Sequence, residues 1–323
     1  MTIRFAGVAA LAAVLTGCVL DLGSLTQTRP LEETVVMGEG GPKIAMIEVE
    51  GVITESPRSS ALGVERPSLV ARSREALDMA RDDDDVAALL LRVNSPGGTV
   101  SASETLYHEI QRWKQRSGKP VVAYLQGLAT SGGYYVAMAA DEVVAHPTAI
   151  TGSIGVIMVG INVSGLMERF GVADQTFTSG EFKDAGSPLR PMRAEERDYF
   201  EQVVVDLHGR FREVVRLGRP ALPPEDLDPI SDGRIFTARQ AADLGLVDRV
   251  GHLEHAVRAL EARAGLSHSR VVVYHRPSEY RENVYSEAGP GPVQVVDIDL
   301  LPPFSHRLAP GFYYIWSPAA GAP

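Results

Sequence analysis

The residues Val86–Val93, VAALLLRV, form an almost unbroken apolar run. A strand of this kind has no polar face to give to water, so it must be covered on both sides, as in an α/β sheet with helices above and below. The neighbouring segments supply that cover. Lys43–Glu50 (KIAMIEVE) alternates apolar and polar residues as a half-buried strand does, and Val121–Leu125 supplies another strand. Between them, Pro67–Arg81 places Leu69, Val70, Ser73, Ala76, Leu77 and Ala80 at helical spacing, with Pro67 suited to a first turn. Ser101–Arg116 sets Leu106, Ile110 and Trp113 on one helical face. The β-α-β rhythm predicts a mainly parallel sheet.

The rhythm continues with a predicted helix over 132–140, a strand near Glu142–Ala145, a glycine-rich stretch from Thr151 to Gly160 and a strand near Asp174–Thr178. A long helix follows from Ala194 to Leu217, with Glu195 and Glu196 at its positive end and Arg210, Arg212 and Arg216 towards the other. After the proline-rich link 220–229, helices are expected at Thr237–Leu244 and Leu253–Ala264, then a strand at Val271–Tyr274. Beyond Pro277 proline and glycine accumulate, and Gly311–Trp316 (GFYYIW) fits either packing on its own domain or an external contact.

The N-terminus has a different logic. Met1–Arg4 is short and basic and Phe5–Leu15 is apolar, the shape of a secretory signal peptide. The chain contains one cysteine, which excludes an intrachain disulfide and a cysteine zinc cluster. That residue, Cys18, ends Leu15-Thr16-Gly17-Cys18, which resembles the lipobox of bacterial lipoproteins. Asp21 ends the apolar stretch short of the ~20 residues that span a bilayer. The expectation is removal of residues 1–17, lipidation of Cys18 and a stable membrane tether if two or more acyl chains are attached. Residues 18–41 are then expected to be a flexible stem, 42–276 the folded domain and 277–323 a Pro/Gly-rich tail. Acidic residues outnumber basic ones 41 to 31, so nothing favours a nucleic-acid partner. The run Asp82–Asp85 reads as a solvated turn rather than a metal site.

Two elements invite a chemical reading. Asn94-Ser95-Pro96-Gly97-Gly98 follows the apolar strand, at the sheet edge where ligands of α/β proteins bind. Its glycines can expose backbone N–H groups, as an oxyanion hole requires, though a tight turn explains them as well. Thr130-Ser131-Gly132-Gly133 precedes an apolar helix, so Ser131 is either a capping residue or a nucleophile beside the helix dipole. No histidine is placed to serve as its base, and no metal-ligand helix is present. A lysine can act if burial lowers its pKa; bringing one from about 10.4 to about 7.5 costs roughly 4 kcal/mol. Lys183 is the candidate, in a loop that could turn it inward, although a lone lysine is more often a solvated charge.

Taken together, NSPGG at 94–98, LATSGGYYVAMAAD at 128–141, TGSIGV at 151–156 and GEFKDAGSPLRPM at 180–192 resemble the signal peptide peptidase A family. FTARQA at 236–241 and LGLVD at 244–248 are similar to that family and to its Clp protease and crotonase relatives. Lys183 stands 52 positions after Ser131, as in the short single-domain bacterial form. The resemblance implies an α/β Clp/crotonase fold of stacked ββα units with a helical extension used in ring-shaped homo-oligomers. It implies a serine peptidase acting on signal peptides or other short extended apolar peptides, with no metal or organic cofactor. Ser131 matches the nucleophile, Lys183 the general base and Ser153 the hydroxyl that orients the lysine. Gly98 and Gly132 match the backbone donors of the oxyanion hole. Cys18 would place the protein in the bacterial cell envelope as a lipoprotein. The alternatives are a crotonase-like acyl-CoA enzyme and a ring scaffold without activity.

Overall fold

The computed structural model describes residues 30–59, 65–277, 281–286 and 310–316. Its strands are β1 (Glu32–Met37), β2 (Lys43–Glu50), β3 (Arg58–Ser59), β4 (Glu65–Arg66), β5 (Val86–Ser95), β6 (Gly97–Thr99) and β7 (Val121–Thr130), followed by β8 (Glu142–Ala145), β9 (Ile150–Gly152), β10 (Ile157–Val159), β11 (Ile235–Thr237), β12 (Arg249–Val250), β13 (Arg270–His275) and β14 (Gly311–Ile315). Its helices are α1 (Leu69–Asp82), α2 (Val100–Ser117), α3 (Gly132–Ala137), α4 (Ser164–Arg169), α5 (Ala194–Gly218), α6 (Pro224–Leu227), α7 (Ala238–Asp243) and α8 (Leu253–Ala264).

The main sheet runs β1-β13-β2-β5-β7-β8-β12, with β9 branching from β7 and β11 pairing β9. From β13 to β12 the neighbours are parallel, while β1 joins β13 antiparallel at the edge. The apolar run lies at the centre of this sheet, as expected. On β2 and β5, Ala45, Ile47, Leu89 and Leu91 face a layer containing Leu77, Leu106 and Ile110 from α1 and α2. The alternate residues Ile44, Met46, Ala88 and Leu90 face Leu253, Val257 and Leu260 of α8. Burying each such side chain contributes about 1.5–3 kcal/mol, and a charge at Leu90 would have neither water nor partner. The result is a mixed α/β fold with a parallel core, of the Clp/crotonase type.

Several boundaries move. The segment expected to be a stem contains β1, whose residues Glu32–Val35 pair in register with His275–Val272. The C-terminal tail contains β14. The helix expected over 132–140 ends at Ala137, and tighter bonds from Ala139 to Val136 and Ala140 to Ala137 finish it. No strand forms at 174–178; Asp174 instead accepts bonds from the Thr176 amide at 2.9 Å and hydroxyl at 2.6 Å, a local turn that competes with extension. Asp83 pairs with Lys43 and accepts from the Asp85 amide, so the acidic run is a turn with an ion pair. No group of metal-ligating side chains occurs among the described residues. The signal segment and Cys18 lie outside the described residues. Among those described, no helix is long and apolar enough to cross a membrane.

Candidate active site

At the end of β5 the chain turns under strict backbone control. The Ser95 hydroxyl donates to the Gly51 carbonyl at 2.6 Å and accepts from the Gly97 amide at 3.0 Å. Gly97 adopts φ +102, where a side chain would be strained. Ile53 then takes both outward groups beside Gly98: its amide donates to the Gly97 carbonyl at 2.9 Å and its carbonyl accepts from the Thr99 amide at 3.1 Å. Gly98 therefore aims its own N–H and C=O away from Ile53, towards β14. A Cβ there would lie 1.9 Å from the Ile53 carbonyl oxygen, so only glycine fits.

Ser131 begins α3 with φ 53 and ψ −117, and its side chain makes no capping bond. The capping explanation thus fails. Its amide donates to the Gly152 carbonyl and its carbonyl accepts from the Tyr135 amide, each at 2.8 Å, which hold the backbone in this strained state. The residue is 1% exposed. Gly132 and Gly133 let the helix start lie directly on the 94–98 turn: a Cβ on Gly133 would sit 2.8 Å from the Ser95 carbonyl oxygen, and one on Gly97 would sit 2.7 Å from the Gly132 nitrogen. The structure thus brings Ser131, Gly98 and Gly132 into one niche.

Ser153 is the neighbour of Gly152 and shares the positive φ, at 52; its amide donates to Arg234 in the loop before β11 at 2.7 Å. Lys183 is elsewhere in character. It is exposed in the single chain, and its side chain makes no hydrogen bond or ion pair among the described residues, so the inward turn expected of this loop is not seen. The loop itself is ordered by Arg190, which donates to Asp184 at 2.7 Å and to Glu196 of α5 at 2.5 Å. Phe182 meets Tyr199, with ring centroids 5.7 Å apart.

Which aromatic rings gather beside the niche was not readable from the sequence. Tyr135, one turn into α3, meets Tyr107 of α2 and Phe211 of α5 edge-on, with centroids at 5.5 and 5.0 Å. Burial and the adjacent Glu104 push the Tyr135 phenol up, so it stays a neutral donor to Glu104. Burial opposes the charge on Glu104, but the hydrogen bonds from Arg210 and Tyr135 outweigh it and hold this carboxyl below its usual range. The signal available was the aromatic density of YYVAMAA and GFYYIW, which does not reveal which rings meet.

A parallel α/β sheet with a strained serine turn and abutting glycines at its edge defines a protein of the Clp/crotonase architecture. Comparison with known proteins narrows the class. Residues 113–267 match the model of peptidase family S49, and residues 70–151 match that of Clp protease. A protein of Enterococcus faecium named for signal peptide peptidase SppA is 35% identical over 243 residues, covering 75% of this chain and 70% of that protein. The chloroplastic serine protease SPPA of Arabidopsis thaliana is 30% identical over 261 residues, 79% of this chain and 38% of that protein. Protease 4 of Haemophilus influenzae is 34% identical over 221 residues, 68% and 34% of the two chains. The chain belongs to peptidase family S49 and is a serine peptidase.

Proposed function

We propose that this serine peptidase uses a Ser/Lys pair to hydrolyse signal peptides or other short, extended, apolar peptides at the membrane surface through an acyl-enzyme. The observation that carries the reading is the strained, uncapped Ser131 set against the glycine amides of the 94–98 turn. Ser131 Oγ attacks the peptide carbonyl, and the neutral amine of Lys183 takes its proton. The oxyanion is stabilised by the N–H groups of Gly98 and Gly132, a contribution worth about 2.7–4 kcal/mol per donor in comparable sites. The lysine then protonates the leaving amine and activates the water that releases the acyl group. Ser153 orients the lysine.

A base on an exposed loop needs a cover. The same region presents Leu166, Phe170, Val172, Phe177 and Tyr199 to solvent, Phe177 at 97% exposure. A ring-shaped homo-oligomer that buries these side chains would also desolvate Lys183, which supports assembly as part of the reading. The lipobox supports attachment through a lipidated Cys18, placing the peptidase as an envelope lipoprotein. Replacement of Ser131 or of Lys183 by alanine is expected to abolish peptide hydrolysis while the circular-dichroism spectrum is retained. Full activity in either variant overturns the proposal. A neutral amine base also makes kcat/KM rise with pH, and a flat profile would contradict Lys183 in that role.

A further inference from the structure

The β12 edge of the main sheet carries a group of charges that peptide hydrolysis does not use. Glu142, the first residue of β8, is buried, and two arginines close on it from different elements. Nε of Arg249 in β12 stands 2.8 Å from one carboxylate oxygen, and Nε of Arg263 in the last turn of α8 stands 3.0 Å from the other. Because each guanidinium spends its Nε on Glu142, its two Nη groups are left over, and they make no hydrogen bond among the described residues. A third arginine, Arg258, projects from the exposed side of α8 and forms no hydrogen bond or ion pair with any described residue. One buried carboxylate accounts for the first two arginines. It does not account for the third.

These side chains line an open pocket of about 330 Å³, in which Ala259 and Ala262 form a small apolar wall. His255 completes the lining. Its Nδ1 accepts from the His252 amide at 2.9 Å, so the neutral ring carries its proton on Nε2 and presents a further donor. Three guanidiniums against one carboxylate leave two positive charges, in a chain whose net charge is -10. Free guanidinium forks match the paired oxygens of a phosphate, and a phosphate monoester near neutral pH is a dianion that balances the two charges. The volume lies at the lower end of the roughly 300–1,000 Å³ range of small-molecule pockets, so a phosphate with an attached group fits.

The pocket is remote from the serine. Glu142 pairs in register with Val122 of β7, while Ser131 follows the opposite end of that strand at Thr130. At about 3.3 Å per residue the separation is roughly 25 Å. We propose that this pocket is a second binding site, taking a phosphate monoester, in which Arg258 and the Nη groups of Arg249 and Arg263 hold the phosphate oxygens. Glu142 keeps the two guanidiniums in place. The same phosphate occurs on soluble phosphorylated compounds and on an anionic lipid headgroup.

The test is isothermal titration calorimetry of the full chain with glycerol 3-phosphate and with monomeric dihexanoyl phosphatidic acid. At least one should bind with a dissociation constant of about 1 mM or tighter. Tighter binding of the phosphatidic acid assigns the site to a lipid headgroup, and tighter binding of glycerol 3-phosphate assigns it to a soluble phosphate. Arg258→Ala should weaken binding at least about tenfold with the circular-dichroism spectrum retained, since that side chain has no partner to lose. Ala262→Trp should weaken it as much by filling the pocket with every charge in place. Arg216→Ala, which removes an exposed arginine of α5, should leave binding unchanged. Absence of binding by both compounds, indifference to Arg258→Ala or to Ala262→Trp, or an equal loss in Arg216→Ala overturns the inference. Arg258→Ala should also hydrolyse peptide at the parent rate; loss of hydrolysis in a folded variant would overturn the separation of the two sites.

Discussion

The amide of Ser131 is bonded to the carbonyl of Gly152 at 2.8 Å, so the strained serine hangs from the residue before Ser153, the other non-glycine residue with positive φ among those described. The two serine-bearing turns are one rigid unit. Gly152 itself adopts φ +83, and a Cβ on it would lie 2.6 Å from the Phe236 ring and 3.1 Å from the Arg234 carbonyl oxygen. Gly152→Ala must therefore shift the carbonyl that positions Ser131. A displacement of about 1 Å at a reacting group costs on the order of 100-fold in rate. The variant is expected to lose about that factor in kcat with little change in KM, measured by steady-state peptide hydrolysis. An unaltered kcat would show that Ser131 does not depend on this contact.

Strain at Ser131 predicts a separation of stability from activity. A non-glycine residue in such a conformation costs about 1–3 kcal/mol, and glycine relieves most of that at an entropic cost of roughly 0.5–1 kcal/mol. Ser131→Gly should be inactive yet more stable than the parent, by about 1 kcal/mol or a few degrees in Tm. Calorimetry reads the difference directly. A lower Tm in the glycine variant would mean that the turn is not strained.

The central sheet was legible because Val86–Val93 has a single physical solution, burial on both faces, and the helices beside it carry clean apolar stripes. The niche was legible in part because glycines that abut other backbone must be glycines whatever the remaining sequence. Three features were not. Tyr314 reaches the niche from the far end of the chain, and pairing over such a separation leaves no local trace. Asp174–Thr178 looked like a strand, but its Asp and Thr side chains satisfy the backbone locally. The environment of Lys183 is not readable from sequence, since what covers an exposed loop is decided by surfaces outside it.

On the α8 face of the sheet, Glu48 lies between two buried guanidiniums, Arg92 and Arg281, each with only 4% of its side chain exposed. Arg92 also donates to the Val284 carbonyl at 2.6 Å and Arg281 to that of Ser286 at 3.0 Å, which ties segment 281–286 to the strands. Glu48→Gln removes the carboxylate that both buried guanidiniums share, so denaturant unfolding should show a loss of about 3–5 kcal/mol. Asp232→Asn removes the partner of Arg234, where both side chains are about half exposed, and should leave the unfolding midpoint unmoved. Comparable losses in the two variants would mean that burial does not govern these pairs.

The loop that carries Lys183 is fastened by a carboxylate, which makes its attachment sensitive to acid. Hydrogen bonds from Arg190 are the main cause holding Glu196 at about 2, against an ordinary value of 4.5; burial opposes them, and the Arg193 amide and guanidinium add to them. A depressed carboxyl pKa contributes stability that is complete above the ordinary value and lost as pH falls towards the folded one. The attachment should therefore weaken between about pH 4.5 and 2. Hydrogen exchange, corrected for intrinsic rates, should show protection in 180–200 disappearing over that interval while the central strands remain protected. Glu196→Gln should lack this protection already at pH 7 and show no further step on acidification. It should also lose peptidase activity at pH 7, because the loop would no longer present Lys183 in a fixed position. If the glutamine variant keeps both protection and activity at pH 7, Glu196 is not what fastens the loop.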